Sequence, residues 1–108
     1  MVNPPTLTEE QRRVALERAA YARRVRAEVK ERLKIGSLTL GEVLATVDGS
    51  DDEAEVLAKL KVVSALESLP GVGKVGARKL MRDLDISENR RLRGLGANQR
   101  RALLERFG

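Results

Sequence analysis

The stretch LPGVGKVGARKLM at residues 69–81 constrains the fold more than any other part of the chain. Pro70 presets φ for the first central position of a tight turn, and Gly71 can take the positive φ that the second requires. Leu69-Pro70-Gly71-Val72 therefore reads as a type II turn. Before it, Val62, Ala65, Leu66 and Leu69 fall at i, i+3, i+4 and i+7; after it, Ala77, Leu80, Met81 and Leu84 repeat the spacing. Two short amphipathic helices joined by a glycine hairpin follow from that pattern.

The hairpin also has a chemical use. Gly71, Gly73 and Gly76 carry no Cβ, so a phosphate can approach the backbone, and the unpaired N–H groups that open the second helix point toward it. Lys74 adds a full positive charge beside those donors. Lys74, Arg78 and Arg82 recur every four residues, with Lys79 nearby, and the pattern turns them away from the apolar stripe. Such a unit can grip a nucleic-acid backbone without reading bases. The same residues also fit a plain αα-turn with solvated cations. A P-loop is excluded, because GVGKVGAR lacks the GxxxxGK[ST] spacing and no buried strand precedes it.

A second glycine turn follows. RRLRGLG at 90–96 sets Arg90, Arg91 and Arg93 immediately before Gly94 and Gly96, and 97–107 reads as a further helix. The triplet fits a solvated turn, and it also fits a narrow, strongly negative minor groove, where arginine selects DNA shape rather than sequence.

Charge is distributed to match. Residues 1–36 carry +4, 37–60 carry −5 and 61–108 carry +6, so two basic segments flank an acidic one. A net charge of +5 in 108 residues fits a polyanionic partner. With one Tyr, one Phe and no Trp, stacking of single-stranded bases on aromatic platforms is disfavoured. The absence of Cys and His removes thiol nucleophiles, imidazole bases and zinc sites, so neither enzyme activity nor a metal or other cofactor is expected. No apolar run suggests a signal peptide or membrane span; the expected location is cytoplasmic, with no membrane partner.

Along the chain, Met1–Leu7 with Pro4 and Pro5 reads as a flexible arm. Thr8 and Gln11 form a capping-box pattern opening a long basic helix at about 9–34. Its seam of Val14, Tyr21, Val25, Val29 and Leu33 is narrow, and its first half has too little apolar surface for firm anchorage, so that half should project. A DNA-contacting arm and a solvated helix with Glu–Arg pairs both fit it; a membrane-surface helix does not, because large apolar residues are sparse. Thr39 with Glu42 starts a short helix to about Val47, and Ser50 with Glu53 starts another to about Leu60. Leu40, Val43, Leu44, Val47, Val56, Leu57 and Leu60 are core candidates. Asp48, Ser50 and Asp52 match part of an EF-hand pattern, but Glu53 and Lys59 break it. Ser87 is expected to cap a short helical turn through Arg90 to Leu92, and Leu103, Leu104 and Phe107 to close the core.

LPGVGKVGARKLM followed by ISENRRLRGLGANQRRALLERFG resembles the actinobacterial integration host factors, small nucleoid-associated DNA-binding proteins, and the resemblance extends over most of the chain. It implies an all-α fold: a small helical domain with a helix-hairpin-helix or helix-two-turns-helix (H2TH) DNA-binding element and a long basic N-terminal helix. Residues 1–36 supply the arm and long helix and 37–108 the helical body, together one DNA-binding domain over 1–108. The implied clamp is Pro70, Gly71, Val72, Gly73 and Lys74; the implied cationic triplet is Arg90, Arg91 and Arg93, with Gly94 and Gly96. Lys61, Arg78, Arg23 and Arg24 are candidates for additional contacts. In the middle segment, DGSDDEAE interrupts the likeness.

The function implied is a monomeric nucleoid protein that binds double-stranded DNA with little sequence specificity and bends or compacts it. It would support recombination and transcriptional regulation, with a site-specific recombinase or other nucleoid proteins as further partners. The same hairpin and RRLRGLGANQRR resemble a small-subunit ribosomal protein, which keeps an RNA-binding alternative open. DNA-repair enzymes carry related hairpins too, but so short a helical chain can hardly enclose a base pocket around Lys74 or Asp83.

Overall fold

The structure is a computed structural model that describes residues 8–108; the arm expected over Met1–Leu7 lies outside the described residues. Two capping boxes form as their patterns predict. Thr8 accepts from Gln11 N and Gln11 returns the bond, opening α1 (Glu9–Lys34). Thr39 and Glu42 do the same for α2 (Leu40–Val47). The chain leaves α1 through Gly36 at φ +79°, while Gly36 N and Ser37 N donate to the Leu33 and Arg32 carbonyls, closing the helix end.

The next helix, α3 (Asp52–Ala58), departs from expectation by one residue. Asp51, not Ser50, accepts from Ala54 N at 2.8 Å, and the helix stops two residues before Leu60. That register buries Ala54 and Leu57 and leaves Val56 half-buried. The hairpin helices are α4 (Val62–Ser68) and α5 (Gly73–Asp83), and α6 (Ala97–Phe107) closes the chain.

The helical turn expected from Ser87 through Arg90 to Leu92 stops at its first hydrogen bond, Arg90 N to Ser87 O at 3.0 Å. Leu60 and Val62 draw this segment into extended pairing instead: Val62 N donates to Arg90 O and Leu92 N to Leu60 O, both at 2.9 Å. Arg91 is accordingly extended (φ −98°, ψ 160°), and a 3-10 turn follows at Leu92–Gly94. Among the described residues there are six α-helices and no strand, only this isolated bridge between Lys61 and Arg91.

The core is aliphatic. Leu33, Leu40, Leu44, Leu57, Leu66, Met81 and Leu103 are fully buried, and both predicted hairpin stripes face inward, with Leu84 only half-buried. Leu104 and Phe107 pack at its margin. α1 reaches this core only through its C-terminal part: Val29 and Leu33 are buried, Val25 packs beside them, and nothing before Val29 is buried. At about 1.5 Å per residue the helix is about 39 Å long, and the described chain extends 57 × 29 × 25 Å. Helix α1 packs against α3 and α4, and α5 packs against α4.

Candidate nucleic-acid interface

The hairpin between α4 and α5 has the predicted turn and a second special residue. Leu69 is extended, Val72 N donates to Leu69 O at 3.2 Å, and Gly71 has φ +78°. Val72 then returns to the right-handed region (φ −85°, ψ −58°) before Gly73 reverses again to φ +68°. Alternation of left- and right-handed residues turns successive N–H groups into one concavity, which favours an anion. Helices α1, α2 and α3 spend a side-chain oxygen on their first turns, whereas α5 has no side-chain cap. A Cβ at Gly71 or Gly73 would meet nothing within 4 Å, so the space in front of these donors is open.

Gly76 behaves differently. It lies inside α5, and a Cβ there would face Val72 Cγ1 at 3.5 Å, an ordinary contact. It therefore does not border the open space that Gly71 and Gly73 face. Lys74 is exposed beside the concavity and forms no ion pair among the described residues. Next to it stands Val75, 83% exposed, which sequence reasoning passed over. Its signal was its position off the apolar stripe of α5.

Arg78 does not belong to a free cationic face. Its Nε donates to Glu88 at 2.7 Å, its NH1 lies 3.7 Å from Glu67 and donates to Lys74 O at 3.1 Å. The side chain ties α4, α5 and the turn at 88–89 together. Lys74, Lys79 and Arg82 remain as exposed cations of α5.

The arginine triplet resolves into three unlike residues. Arg93 is exposed and makes no side-chain hydrogen bond among the described residues. Arg91 is exposed, with NH1 donating to Lys59 O at 2.9 Å. Arg90 is half-buried, and its NH1 donates to Gly94 O at 2.8 Å and Gln99 Oε1 at 3.2 Å. A Cβ at Gly94 would come within 2.9 Å of Arg90 Cδ, which accounts for glycine there.

The bridge places Lys61 directly opposite Arg91 in a pair flanked by its hydrogen bonds rather than joined by them. In this arrangement the two Cα atoms stand about 4.5 Å apart and the side chains leave the same face. Two like charges so placed repel each other. Both side chains are exposed and neither has a carboxylate partner among the described residues. The hairpin of 69–74, Lys61 and the loop of 90–96 thus sit on segments that α4 and the bridge join directly.

On α1, Arg12 and Arg13 are occupied by Glu9, Glu10 and Glu17, the intrahelical pairs expected of a solvated helix. Arg23 and Arg24 are exposed without ion pairs among the described residues, Arg24 lying 5.9 Å from the centre of the Tyr21 ring. Two carboxylates of the acidic middle segment are engaged internally: Asp51 caps α3, and Asp48 receives two bonds from Arg100, at 2.9 and 2.6 Å. The Arg100 hydrogen bonds hold the Asp48 carboxyl below its ordinary pKa. Among the described residues, no group of three or more carboxylates is placed to hold a metal ion.

The S13-like H2TH domain family matches residues 33–107, from the end of α1 to the end of α6. The integration host factor of Mycobacterium tuberculosis is 58% identical over 104 residues, covering 96% of this chain and 95% of its own. That of Streptomyces coelicolor is 55% identical over 104 residues, covering 96% and 94%. A solved structure of sIHF bound to an 8-bp palindromic DNA superimposes with a TM-score of 0.76 at 52% identity, covering 85% of this chain and 99% of that one.

Proposed function

We infer function from the premise that this chain belongs to the actinobacterial integration host factor family and carries that family's H2TH fold. It is a DNA-binding architectural protein. The observation that carries this most directly is the backbone bridge that sets Lys61 opposite Arg91, two exposed cations with no carboxylate partner among the described residues. That arrangement is unfavourable alone and becomes favourable against a line of phosphates.

Gly71 and Gly73 offer backbone N–H groups to one phosphate, with Pro70, Val72 and Lys74 bordering the concavity. Arg91 and Arg93 lie against the duplex beside Gly94 and Gly96, and Lys61 adds a phosphate contact. Backbone and phosphate contacts position the protein without reading sequence. Arg23 and Arg24 of the projecting α1 form a second surface, and a monomer holding one duplex at two surfaces favours its bending. The whole 108-residue chain acts on this reading as one DNA-binding domain in the nucleoid, supporting recombination and transcriptional control alongside a site-specific recombinase or other nucleoid proteins. No relative supports the RNA-binding alternative that the shared fold raised, and a chain without Cys or His suits an architectural role.

The test is competition for a labelled mixed-sequence duplex by unlabelled DNA and RNA duplexes across a salt series. Capture of about six phosphates predicts a log–log salt slope near −5. A flat response, or better competition by RNA, would overturn the assignment. Donor and acceptor dyes at the duplex ends report bending, and equal end-to-end distances for free and bound DNA would remove that part.

A further inference from the structure

The side chain of Gln99, at the third position of α6, uses its full hydrogen-bonding capacity on three separate segments. Its Oε1 accepts from Gly96 N at 2.9 Å and from Arg90 NH1 at 3.2 Å. Its Nε2 donates to Asp85 O at 2.9 Å and to Leu84 O at 3.4 Å. A primary amide has two lone pairs and two protons, and all four are used. The orientation is unambiguous, because turning the amide over would set its nitrogen against an N–H and a guanidinium and its oxygen against two carbonyls.

Each partner has a place in the interface. Gly96 and Arg90 bracket the loop that carries Arg91 and Arg93. Leu84 and Asp85 form the exit of α5, whose other end is the hairpin concavity. Asp85 holds φ +57°, and Ile86 N donates back to Met81 O at 2.8 Å, so this exit is a closed turn and a fixed anchor. Arg90 extends the linkage by clamping Gly94 O at 2.8 Å. A rigid helix with the phosphate concavity at one end is thereby fastened, at the other, to the arginine loop.

We propose that Gln99, acting with Arg90, is the positioning element that fixes the Arg91–Arg93 loop relative to the α5 hairpin, and that Arg90 is an internal strut rather than a phosphate contact. The inference rests on the reading of this face as the duplex-binding surface. Held in register, the two exposed arginines meet DNA already ordered; without the amide they must be ordered on binding, which weakens affinity without removing any ionic contact.

The test separates these effects by salt dependence. Binding of a labelled duplex is measured across a salt series for the wild type, Gln99→Ala, Gln99→Glu, Arg90→Met and Arg93→Ala, well below each melting temperature, with hydrogen exchange of the free proteins alongside. Gln99→Ala and Arg90→Met are expected to bind about tenfold more weakly with the wild-type salt slope, and the amides of 91–96 should exchange faster while those of α4 and α5 do not. Arg93→Ala should lose about one unit of slope. Gln99→Glu keeps the acceptor side and loses the donor side, so it should recover part of the affinity. Loss of about one unit of slope in Arg90→Met would make Arg90 a phosphate contact and overturn the proposal, as would wild-type affinity in Gln99→Ala. Absence of salt-dependent duplex binding by the wild type would instead overturn the reading of the face itself, before any variant is compared.

Discussion

Alanine at two glycines of the same hairpin should have opposite effects on stability. Gly73 holds φ +68°, where an L residue costs about 1–2 kcal/mol. Because a Cβ there meets nothing within 4 Å, the cost is conformational and not steric. Alanine also narrows the unfolded ensemble, which returns about 0.5–1 kcal/mol, so Gly73→Ala should destabilise by about 1 kcal/mol net. Gly76 lies inside α5 without positive φ, and its Cβ would make an ordinary contact with Val72 Cγ1 at 3.5 Å. Gly76→Ala should therefore stabilise by about 0.5–1 kcal/mol. Urea unfolding followed by helical circular dichroism resolves the difference, since at about 1–3 kcal/mol per molar the two midpoints should separate by roughly 1 M. Duplex binding supplies the second readout: the Gly73→Ala methyl stands in the open space before the concavity and should weaken binding, whereas Gly76→Ala should leave it intact. Equal stability of the two variants, or a destabilised Gly76→Ala, would refute the reasoning.

Other consequences concern stability away from the interface. Leu33 is fully buried at the point where α1 joins the body, so Leu33→Ala should cost about 3 kcal/mol or more, with faster hydrogen exchange across the end of α1; a cost under about 1 kcal/mol would mean that α1 is anchored elsewhere. Asp48 has its folded pKa lowered by the Arg100 hydrogen bonds, so their contribution is present above the unfolded carboxyl pKa and is lost as pH falls through the folded value. The stability gap between wild type and Arg100→Met should accordingly close in acid, and a gap that widened there would contradict the pairing. Asp85 carries a left-handed backbone, and only its carbonyl serves Gln99, so Asp85→Gly should raise the unfolding free energy by about 0.5 kcal/mol, read as a higher urea midpoint. A lowered midpoint would give the Asp85 side chain a role that the structure does not assign to it.

Much of the fold was legible in the sequence because its signals are local. The capping boxes at Thr8 and Thr39, the glycine exit at Gly36 and the apolar spacing on either side of Pro70-Gly71 are settled by groups three or four residues apart. These determined four of the helices closely and the place of the hairpin. Ser50 and Asp51 can both accept a capping bond, and in the structure it is Asp51 that accepts from Ala54 N. Continuation of the Ser87 turn past Arg90 was overridden from a distance, by the backbone of Leu60 and Val62.

For the proposed interface, the sequence alone supplied the candidate chemistry: open glycines at one turn, arginines beside a second, an acidic segment between two basic ones. It could not rank the cations. Arg90, Arg91 and Arg93 are one pattern in the chain, yet Gln99 internalises Arg90 while Arg93 stays exposed. Arg78 shares its spacing with Lys74 and Arg82, yet Glu67 and Glu88 claim it. Lys61 and Arg91, thirty positions apart in the chain, become neighbours only through the bridge. A cation's availability depends on which carboxylate, carbonyl or amide the packed helices bring within about 3 Å of it, and only the tertiary structure decides those distances.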